Sequence, residues 1–454
     1  MLMMSSESEP KKEKVVVVGG GIIGLTTAYE LSKHCSVHVV EKRSSVCQGA
    51  SYQNGGVVNV ESIAPVNSYM SLWATVKASA LYMTTGQPTN SVIMPAALLE
   101  PNLLLWVKYF ILNSSQERIQ YHAEGMRQIG AAIAPLMEEL FERTGFDKVS
   151  HNFHYTPGLL LSKVGDPAKY VAEKQALFDT VFPKHFVTGT ELAKVKECSG
   201  IQGLESAGHN VGCVEPDNIT VNTRKLGESL QAYLVEKGVK FTYGEDIKLV
   251  TRDNKVTHVE SDDGTTVTGD KYVVCAGYDS NKLLQNIGLK IPLVPIKAYS
   301  LHIENPAVAD RWRYAVHISA EVAGLFTPYR EGLEQHSIRV TGIRDMEGRD
   351  PTLRPERVES LMQVAKKFTG TDWKEENVKV WCGIMPLSPD DFPVIGQTKR
   401  FSNLYINTGH GFRGTAYSLP SARLLAQLMT QAGGKPTANT CFDKKFADPA
   451  RFGM

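Results

Sequence analysis

The sequence predicts an α/β protein of more than one domain, and three observations support this prediction. The chain has 454 residues, which at roughly 100–200 residues per domain corresponds to two or three domains. Near the N-terminus a β-branched run, Lys14–Val18, leads directly into glycines within residues 19–24. Near the C-terminus a second apolar run, residues 404–407, enters the turn Gly409-His410-Gly411 and then a helical stretch through residue 430. Strands that lead through a glycine turn into a helix are typical of α/β folds.

The composition excludes several classes of protein. Lysine and arginine number 49 against 48 aspartates and glutamates, a net charge of +1, so no overall field attracts nucleic acid. Hydrophobic residues make up 42% of the chain, which is typical of a globular protein. The seven cysteines are scattered and form no Cys-x-x-Cys pair. We therefore expect no disulfide framework, no metal site and no nucleic-acid partner.

The segment from residue 14 to residue 41 predicts one βαβ unit. A buried strand, a glycine turn, a helix with one apolar face and a second strand follow one another and end at Glu41. In such a unit Gly19 allows the tight turn, Gly21 lets a pyrophosphate approach the backbone, and Gly24 lets the helix pack closely on the strand. A carboxylate about 20 residues after the first glycine accepts hydrogen bonds from the adenosine ribose. These parts together predict a dinucleotide-binding site.

The glycine motif alone does not separate FAD from NAD. The segment that follows it, residues 44–56, is polar, rich in glycine and longer than a βα connection requires. A loop of this kind is able to wrap the ribityl chain and flavin of FAD, and its alternative is a solvated connection. Cys47 lies in the loop without an adjacent histidine or base, so we expect an unreactive thiol.

Further segments extend the pattern towards the C-terminus. The loop carries Ser51, Asn54 and Gly55, and residues 239–250 (VKFTYGEDIKLV) and 270–277 (DKYVVCAG) predict returning strands. Residues 295–303 (PIKAYSLHI) predict another strand, and the chain closes with WCGIMPLSPDDFPVIG and NLYINTGHGFRG. Together with the glycine motif these segments resemble the D-amino-acid oxidase superfamily of FAD enzymes. Within it they are most similar to the bacterial-type D-amino-acid dehydrogenases, over most of residues 14–430.

The resemblance implies two interleaved domains. One is a Rossmann-like FAD-binding domain with a glutathione-reductase-like βαβ unit, and the other is an α+β substrate domain built on a mostly antiparallel sheet. The FAD-binding domain is expected to be discontinuous, because its returning strands lie far along the chain. Its expected ranges are 14–60, 205–285 and 375–432, those of the substrate domain are 61–204 and 286–374, and residues 1–13 and 433–454 are expected to be polar tails.

The resemblance also implies which residues bind FAD. The turn at His410 is expected to face the pyrimidine edge of the flavin, where His410 either hydrogen-bonds the cofactor or only packs and caps. The expected cofactor-binding residues are Gly19, Gly21, Ile23, Gly24, Glu41, Lys42, Ser51, Asn54, Gly55, Ile247, Ala276, Gly277, Gly409 and Gly411.

The pattern departs from the family where the substrate carboxylate is expected. Met385 stands where the family commonly has an arginine, and a thioether cannot bind a carboxylate. Arg413 stands where related amine oxidases have a lysine or arginine, so we expect it to take over this role; the alternative is that it only fixes a loop. Arg339 and Arg344 rank after it, because arginines on strands are usually solvated or paired. Tyr299 is expected to line the pocket, with a place in the core as its alternative.

The activity that the resemblance implies is FAD-dependent oxidative deamination of an amino acid, expected to be a D-amino acid. Hydride passes from Cα to flavin N5, and the electrons pass to a quinone or another carrier. Two alternatives stay open, a secondary amine oxidase similar to sarcosine or glycine oxidase, and a non-catalytic, flavin-stabilised assembly or binding protein.

The location is expected to be cytoplasmic, because the N-terminal residues show no signal-peptide pattern. A mitochondrial location and peripheral contact with a membrane stay open. The apolar run Leu103–Leu112 contains Lys108 and is too short to span a bilayer. It predicts a mostly buried helix, with a surface that dips into a bilayer as the alternative.

Overall fold

The fold is mixed α/β, which confirms the class predicted from the sequence. The computed structural model describes residues 12–59, 69–178, 185–201, 208–304, 309–310, 312–319, 322–331, 335–371, 375–430 and 441–454. Residues 1–11 and 433–440 of the expected polar tails lie outside the described residues.

The strands and helices are numbered here in chain order. The strands are β1 (Lys14–Val18), β2 (Ser36–Glu41), β3 (Val57–Val58), β4 (Ser91–Ile93), β5 (His154–Tyr155), β6 (Gly158–Ser162), β7 (His185–Val187), β8 (Val211–Glu215), β9 (Ile219–Thr220), β10 (Lys240–Tyr243), β11 (Lys248–Arg252), β12 (Lys255–Glu260), β13 (Thr266–Val267), β14 (Lys271–Val274), β15 (Val294–Glu304), β16 (Ala315–Ile318), β17 (Gly324–Glu331), β18 (Gln335–Met346), β19 (Val378–Leu387), β20 (Val394–Gln397) and β21 (Leu404–Thr408). The helices are α1 (Ile22–Ser32), α2 (Tyr69–Thr85), α3 (Leu103–Leu112), α4 (Gln116–Thr144), α5 (Pro167–Phe178), α6 (Gly189–Ser199), α7 (Thr223–Glu236), α8 (Ser280–Gln285), α9 (Pro355–Thr369) and α10 (Gly414–Thr430).

The first sheet, called here the parallel sheet, has the order β10-β2-β1-β14-β21-β20 within the described residues. All neighbours pair in parallel except β20, which is antiparallel to β21 at one edge. In the central strand β1, Lys14 is followed by four valines that are almost fully buried, as expected for a strand covered on both faces. The segments predicted as returning strands therefore do join the N-terminal βαβ unit in one sheet.

Two apolar layers cover the parallel sheet. On one face, residues of α1, α4, α7 and α10 form a single core with the sheet. On the other face, the small antiparallel sheet β11-β12-β13 packs together with α8. This arrangement leaves the carboxyl ends of the strands, and the turns that follow them, as the place where a ligand can approach the backbone.

The second sheet, called here the large sheet, runs β19-β15-β18-β17-β16-β6-β8-β7 in the described part of the chain, and β4 pairs with β18. Its pairings are mostly antiparallel, as the resemblance implies. One face packs on α9. Strands β8 and β19 belong to this sheet although their residues fall in the ranges expected for the FAD-binding domain. The domain boundaries stay a prediction.

Helix α3 forms at the residues predicted for it, but only one of its faces is covered. Trp106 and Phe110 are buried, whereas Leu104 is 83% exposed and Leu112 is 58% exposed. The expectation of a mostly buried helix is therefore wrong for the outer face. Among the helices of the described residues, none combines the length and the apolar character needed to cross a membrane.

Candidate active site

A cavity of about 510 Å³ lies where the strands of the parallel sheet end. Its walls come from the turn after β1, the end of β2, the loop around residues 47–54, the segment after β14, strand β19 and the turn between β21 and α10. The carboxyl edge of an open α/β sheet is where such folds bind ligands, and the volume is within the range of cofactor and substrate pockets. The cavity thus joins the N-terminal glycine motif to the C-terminal one.

At two of the glycines after β1, any side chain would clash with the backbone. Gly19 has φ +117°, and a Cβ on it would lie 2.5 Å from the carbonyl oxygen of Cys275. A Cβ on Gly24 would lie 1.8 Å from the carbonyl oxygen of Gly19, so only glycine lets α1 pack this closely on the strand. At Gly21 a Cβ would meet only Ser51 Oγ, at 3.6 Å. Because Gly21 also lines the cavity, its missing side chain leaves the start of α1 open to a ligand.

The start of α1 suits an anion. Gly21 caps the helix without any side-chain hydrogen bond, and the first turn contains no acidic residue. The amide of Ile22 donates to Ser51 Oγ at 3.1 Å, which fixes the following loop against the helix. Free amides and the helix dipole favour negative charge at such an end.

The end of β2 and the two residues after it supply three charged residues to the cavity wall, Glu41, Lys42 and Arg43. Glu41 is buried, and its carboxylate accepts hydrogen bonds from the amides of Gly20 at 2.5 Å and Arg43 at 2.9 Å. Lys42 Nζ forms an ion pair with Asp279 at 2.6 Å, between side chains that are both partly exposed. The acid predicted from the motif spacing therefore lies beside the glycine turn, in the place that suits a ribose.

The loop after β2 is anchored to helices on both sides. Asn54 Nδ2 donates to Thr415 Oγ1 of α10 at 2.6 Å and to Thr223 Oγ1 of α7 at 3.0 Å. A Cβ on Gly55 would lie 3.1 Å from Leu325 and 3.2 Å from Thr341, so this glycine packs against the large sheet. The loop is a fixed wall of the cavity rather than a solvated connection.

Most of the residues expected to bind the cofactor do line the cavity. They are Gly19, Gly21, Ile23, Glu41, Lys42, Ser51, Asn54, Ile247, Ala276, Gly277 and Gly411. Gly24, Gly55 and Gly409 are not part of its wall, and their part in cofactor binding stays a prediction. Gly409 has φ +79°, and a Cβ there would lie 3.0 Å from Leu293.

His410 lines the cavity and is neutral. Burial lowers the pKa of its imidazole to about 3. Its Nε2 lies 3.1 Å from Ser421 Oγ, and that hydroxyl donates its single hydrogen to the carbonyl oxygen of Ser418. Ser421 therefore accepts from Nε2–H, and Nδ1 carries a lone pair. His410 thus presents an uncharged ring to the cavity.

Several histidines of the described residues share this depressed pKa, which predicts acid sensitivity. Burial lowers the pKa of His38, His154, His302 and His317 to about 4, and that of His410 to about 3. Between about pH 6.5 and pH 4 the unfolded chain binds protons that the folded chain excludes, so the free energy of unfolding falls as the pH falls, by at most about 1.4 kcal/mol per pH unit for each group.

Urea unfolding at about pH 7 and about pH 5 checks this expectation, with a clearly lower midpoint at the lower pH. A His185→Asn variant is the matched control, because His185 is 61% exposed and its replacement should leave the difference between the two midpoints unchanged. Equal midpoints at the two pH values would show that the histidines are not held neutral.

Arg413 does not reach the cavity. Its Nη1 donates to Asp391 Oδ2 at 2.6 Å, and the two side chains are 12% and 2% exposed. The guanidinium is thus bound to a carboxylate of the protein, and the cavity wall does not include it. This pairing favours the alternative, in which Arg413 fixes a loop, over the expected role as anchor of a substrate carboxylate. No pattern in the sequence places Asp391 beside Arg413.

Tyr299 lies on the wrong face of the large sheet to line the cavity. Its ring is 1% exposed and packs with Leu301 and Ile303 in the core beneath α9. Its neighbour Ser300 points the other way, where it approaches the Gln53 amide at 3.4 Å. Strand alternation therefore places Tyr299 in the core, the alternative that its sequence position left open.

The two remaining arginines differ in their surroundings. Arg339 is buried and donates to the carbonyl oxygen of Asn54 at 3.0 Å and to Tyr329 Oη at 2.9 Å, so it supports the loop. Arg344 stacks on Phe412, with 4.5 Å between the guanidinium carbon and the ring centroid. Phe412 lines the cavity together with Met385 and Cys382. No role was expected for His317, which no motif surrounds, or for Asp391, although Asp391 lies within the closing segment 381–396.

The comparisons with known proteins agree with this geometry. A D-amino acid dehydrogenase from Methylobacterium nodulans is 28% identical over 426 residues, which cover 92% of this chain and 95% of that protein. The structure of L-proline dehydrogenase from P. horikoshii superposes with a TM-score of 0.68 at 18% identity and covers 98% of each chain. Glycine oxidase from Geobacillus kaustophilus gives 0.65 at 19% identity, covering 96% of this chain and 98% of that one. Residues 14–428 match the DAO family of FAD dependent oxidoreductases, and the chain belongs to this family.

Proposed function

We propose that this oxidoreductase oxidises the CH–NH group of an amino acid, with D-amino acids as its expected substrates, and passes the electrons to a quinone or another carrier. Relatives named D-amino acid dehydrogenase, aligned over nine-tenths of the chain, support the substrate class. Their name also supports a carrier as the acceptor. The observation that carries the proposal is the cavity, which is lined by residues of both glycine motifs and by the neutral His410.

The residues of the cavity suit FAD. Gly21 and the uncapped start of α1 would hold the pyrophosphate, and Glu41 would meet the adenosine ribose. Ile247 and Ala276 would flank the adenine end, while Gly411 and His410 would lie at the flavin end. A Cβ at Gly21 would occupy cavity space that is open in the structure, which is the feature expected where a backbone approaches a ligand.

Bound FAD would supply the oxidising power, as the acceptor of a hydride from the substrate. On the substrate, the Cα–H bond breaks, the nitrogen loses a proton and a C=N bond forms. Water then hydrolyses the imine to a 2-oxo acid and ammonia. The electrons leave for the quinone or carrier, so the oxidation is balanced.

The residues of the protein would orient the substrate and form its surroundings, and we assign no residue as a base. The cavity wall beside His410 is apolar and consists of Phe412, Met385 and Ile384. These side chains would face the substrate. Because His410 is neutral across the working pH range, it adds no positive charge that would repel a substrate ammonium. Alignment of the Cα–H bond is then the main contribution to the rate.

Anaerobic mixing of the FAD-loaded protein with single amino acids tests the proposal. We expect loss of the oxidised flavin absorbance with at least one D-amino acid, and formation of one 2-oxo acid and one ammonia per flavin reduced. Reduction by sarcosine or glycine alone would favour the secondary amine oxidase. No reduction by any amine would contradict the proposal and favour a binding protein.

A further inference from the structure

We propose that Arg344 binds the α-carboxylate of the substrate, beside Phe412 at the flavin end of the cavity. This inference rests on the proposed function, because it names the group by which that substrate would be held. Arg344 would take the role that was expected of Arg413. Two features support this assignment, the surroundings of the guanidinium and the register of strand β18.

Arg344 lacks the partner that other enclosed arginines have. Arg357 binds Asp345, Arg413 binds Asp391, and Arg339 binds a carbonyl and a tyrosine. The guanidinium of Arg344 makes no hydrogen bond and no ion pair with any residue that the structure describes; its contact is the Phe412 ring. Burial lowers the pKa of Arg344, the charge of Arg413 adds to this effect, and the charge of Asp391, already paired with Arg413, opposes it.

An arginine stays charged even in such surroundings. A charge that is partly removed from water is costly unless an opposite charge accompanies it. A planar carboxylate matches the guanidinium with two parallel hydrogen bonds. The protein thus holds a cation whose missing partner has the chemistry of an amino-acid carboxylate.

A β-bulge turns Arg344 towards the cavity side of the large sheet. Gly342 pairs with Tyr299 and Arg344 pairs with Ala298, so Ile343 is left between them without a partner. Ile343 has φ +56°, which is strained for a β-branched residue. Its side chain is fully buried in the core beneath α9, on the face that Ile338 and Val340 also share.

The bulge changes which residues face the cofactor loop. Thr341 lies next to Gly55 of that loop, and regular alternation would then put Ile343 on the same face and Arg344 in the core. With one extra residue in the strand, Ile343 enters the core and Arg344 joins the face of Thr341. Bulges commonly re-aim a side chain next to active sites, and strain of this kind collects there.

Arg344, like Arg413, is not itself part of the cavity wall, but it lies on the same face of the large sheet as residues that are. Ala298 of β15 pairs with Arg344 of β18 on one side and with Gly383 of β19 on the other. Met385 lies two residues after Gly383, on the same face of β19. Gly383 and Met385 both line the cavity. Arg344 is therefore two strands away from Met385, on the same face of the sheet. A substrate whose carboxylate is bound by Arg344 would place the rest of its atoms beside Phe412 and Met385.

His317 is a further neighbour of Arg344, and it does not neutralise the charge of the guanidinium. It lies on β16, opposite Leu325, whose side chain lies next to Gly55. Its imidazole makes no hydrogen bond to the residues that the structure describes. Burial, with the charge of Arg344 added, keeps the pKa of His317 at about 4. The acid that opposes this effect is Glu215, which accepts hydrogen bonds from Asn59 and Asn218.

The test compares Arg344→Met, Arg344→Lys and an exposed-arginine control, Arg252→Met, in the FAD-loaded enzyme. The readouts are the KM and kcat for the best amino acid, and the dissociation constant of benzoate, a planar carboxylate, from the change in flavin absorbance. We expect Arg344→Met to raise both KM and the benzoate constant by on the order of 10²–10³-fold. Arg344→Lys should be intermediate, because it keeps the charge and loses the paired hydrogen bonds.

A double variant, Arg344→Met with Met385→Arg, returns a guanidinium to the same face and should recover at least about tenfold of the benzoate affinity. FAD content and melting temperature confirm that each variant is folded. Benzoate binding and KM within about threefold of wild type in both Arg344 variants would overturn the inference, as would wild-type enzyme that does not bind benzoate. If no amino acid reduces the wild-type flavin, the proposed function fails, while the benzoate readout still tests Arg344.

Discussion

Replacing Gly24 by valine is expected to give a chain that neither folds stably nor retains FAD. A Cβ at this position would lie 1.8 Å from the carbonyl oxygen of Gly19, and backbone atoms cannot move aside as a flexible side chain can. Overpacking a core costs typically about 1–3 kcal/mol, and a clash with backbone in the central βαβ unit should exceed about 4 kcal/mol. That is a large part of the roughly 5–15 kcal/mol that stabilises a typical protein.

The flavin absorbance per mole of purified protein and the melting temperature measure this effect. Gly165→Val is the matched control, because a Cβ there meets nothing within 4 Å. Gly21→Ala should separate binding from folding, since its Cβ makes only an ordinary contact with Ser51 but enters the cavity wall. We expect it to keep the melting temperature of the apoprotein and to weaken FAD binding by on the order of tenfold. A Gly24→Val protein with normal FAD content would contradict the role given to this glycine.

Replacing Arg357 by methionine is expected to lower the free energy of unfolding by about 3–5 kcal/mol. Arg357 on α9 binds both carboxylate oxygens of Asp345, at 2.8 and 2.6 Å, and donates to the carbonyl oxygen of Thr89. Both side chains are almost fully buried. Removal of the guanidinium would leave the Asp345 carboxylate in the core without its counter-charge, which is the costly event.

Urea unfolding of the single and double variants checks this expectation. The double variant Asp345→Leu/Arg357→Met should recover most of the loss, because an apolar pair of similar volume removes the stranded charge. An exposed ion pair gives the control: Arg224→Met, which breaks the pair with Glu228, should cost less than about 1 kcal/mol. A loss for Arg357→Met as small as that of the control would show that the pair is not buried in solution.

The βαβ unit was predictable because each of its parts is local in sequence. The glycines at 19, 21 and 24 lie where β1 leads into α1, and Glu41 follows at the end of the next strand. Their constraints are those of backbone geometry, which a spacing of glycines records directly. The cavity places the same residues together, so the N-terminal half of the site follows from the sequence.

The substrate side was not predictable in the same way, because it depends on contacts between distant residues. Arg413 pairs with Asp391, which precedes it by 22 residues and two strands, and Tyr299 takes the core face of its strand. The orientation of Arg344 depends on one extra residue at Ile343, and a bulge shifts the alternation of a strand by one position. No pattern in the residues of β18 marks that shift, so a strand arginine and a cavity arginine look alike in the sequence.

A crystal structure of the FAD-loaded enzyme with benzoate tests most directly how the site is organised. We expect FAD to extend from Gly21 and Glu41 to Gly411, and the carboxylate to form two hydrogen bonds with Arg344 beside Phe412. Arg413 should remain bound to Asp391. A benzoate carboxylate bound to Arg413 instead, or FAD outside the cavity between the two glycine motifs, would contradict this organisation.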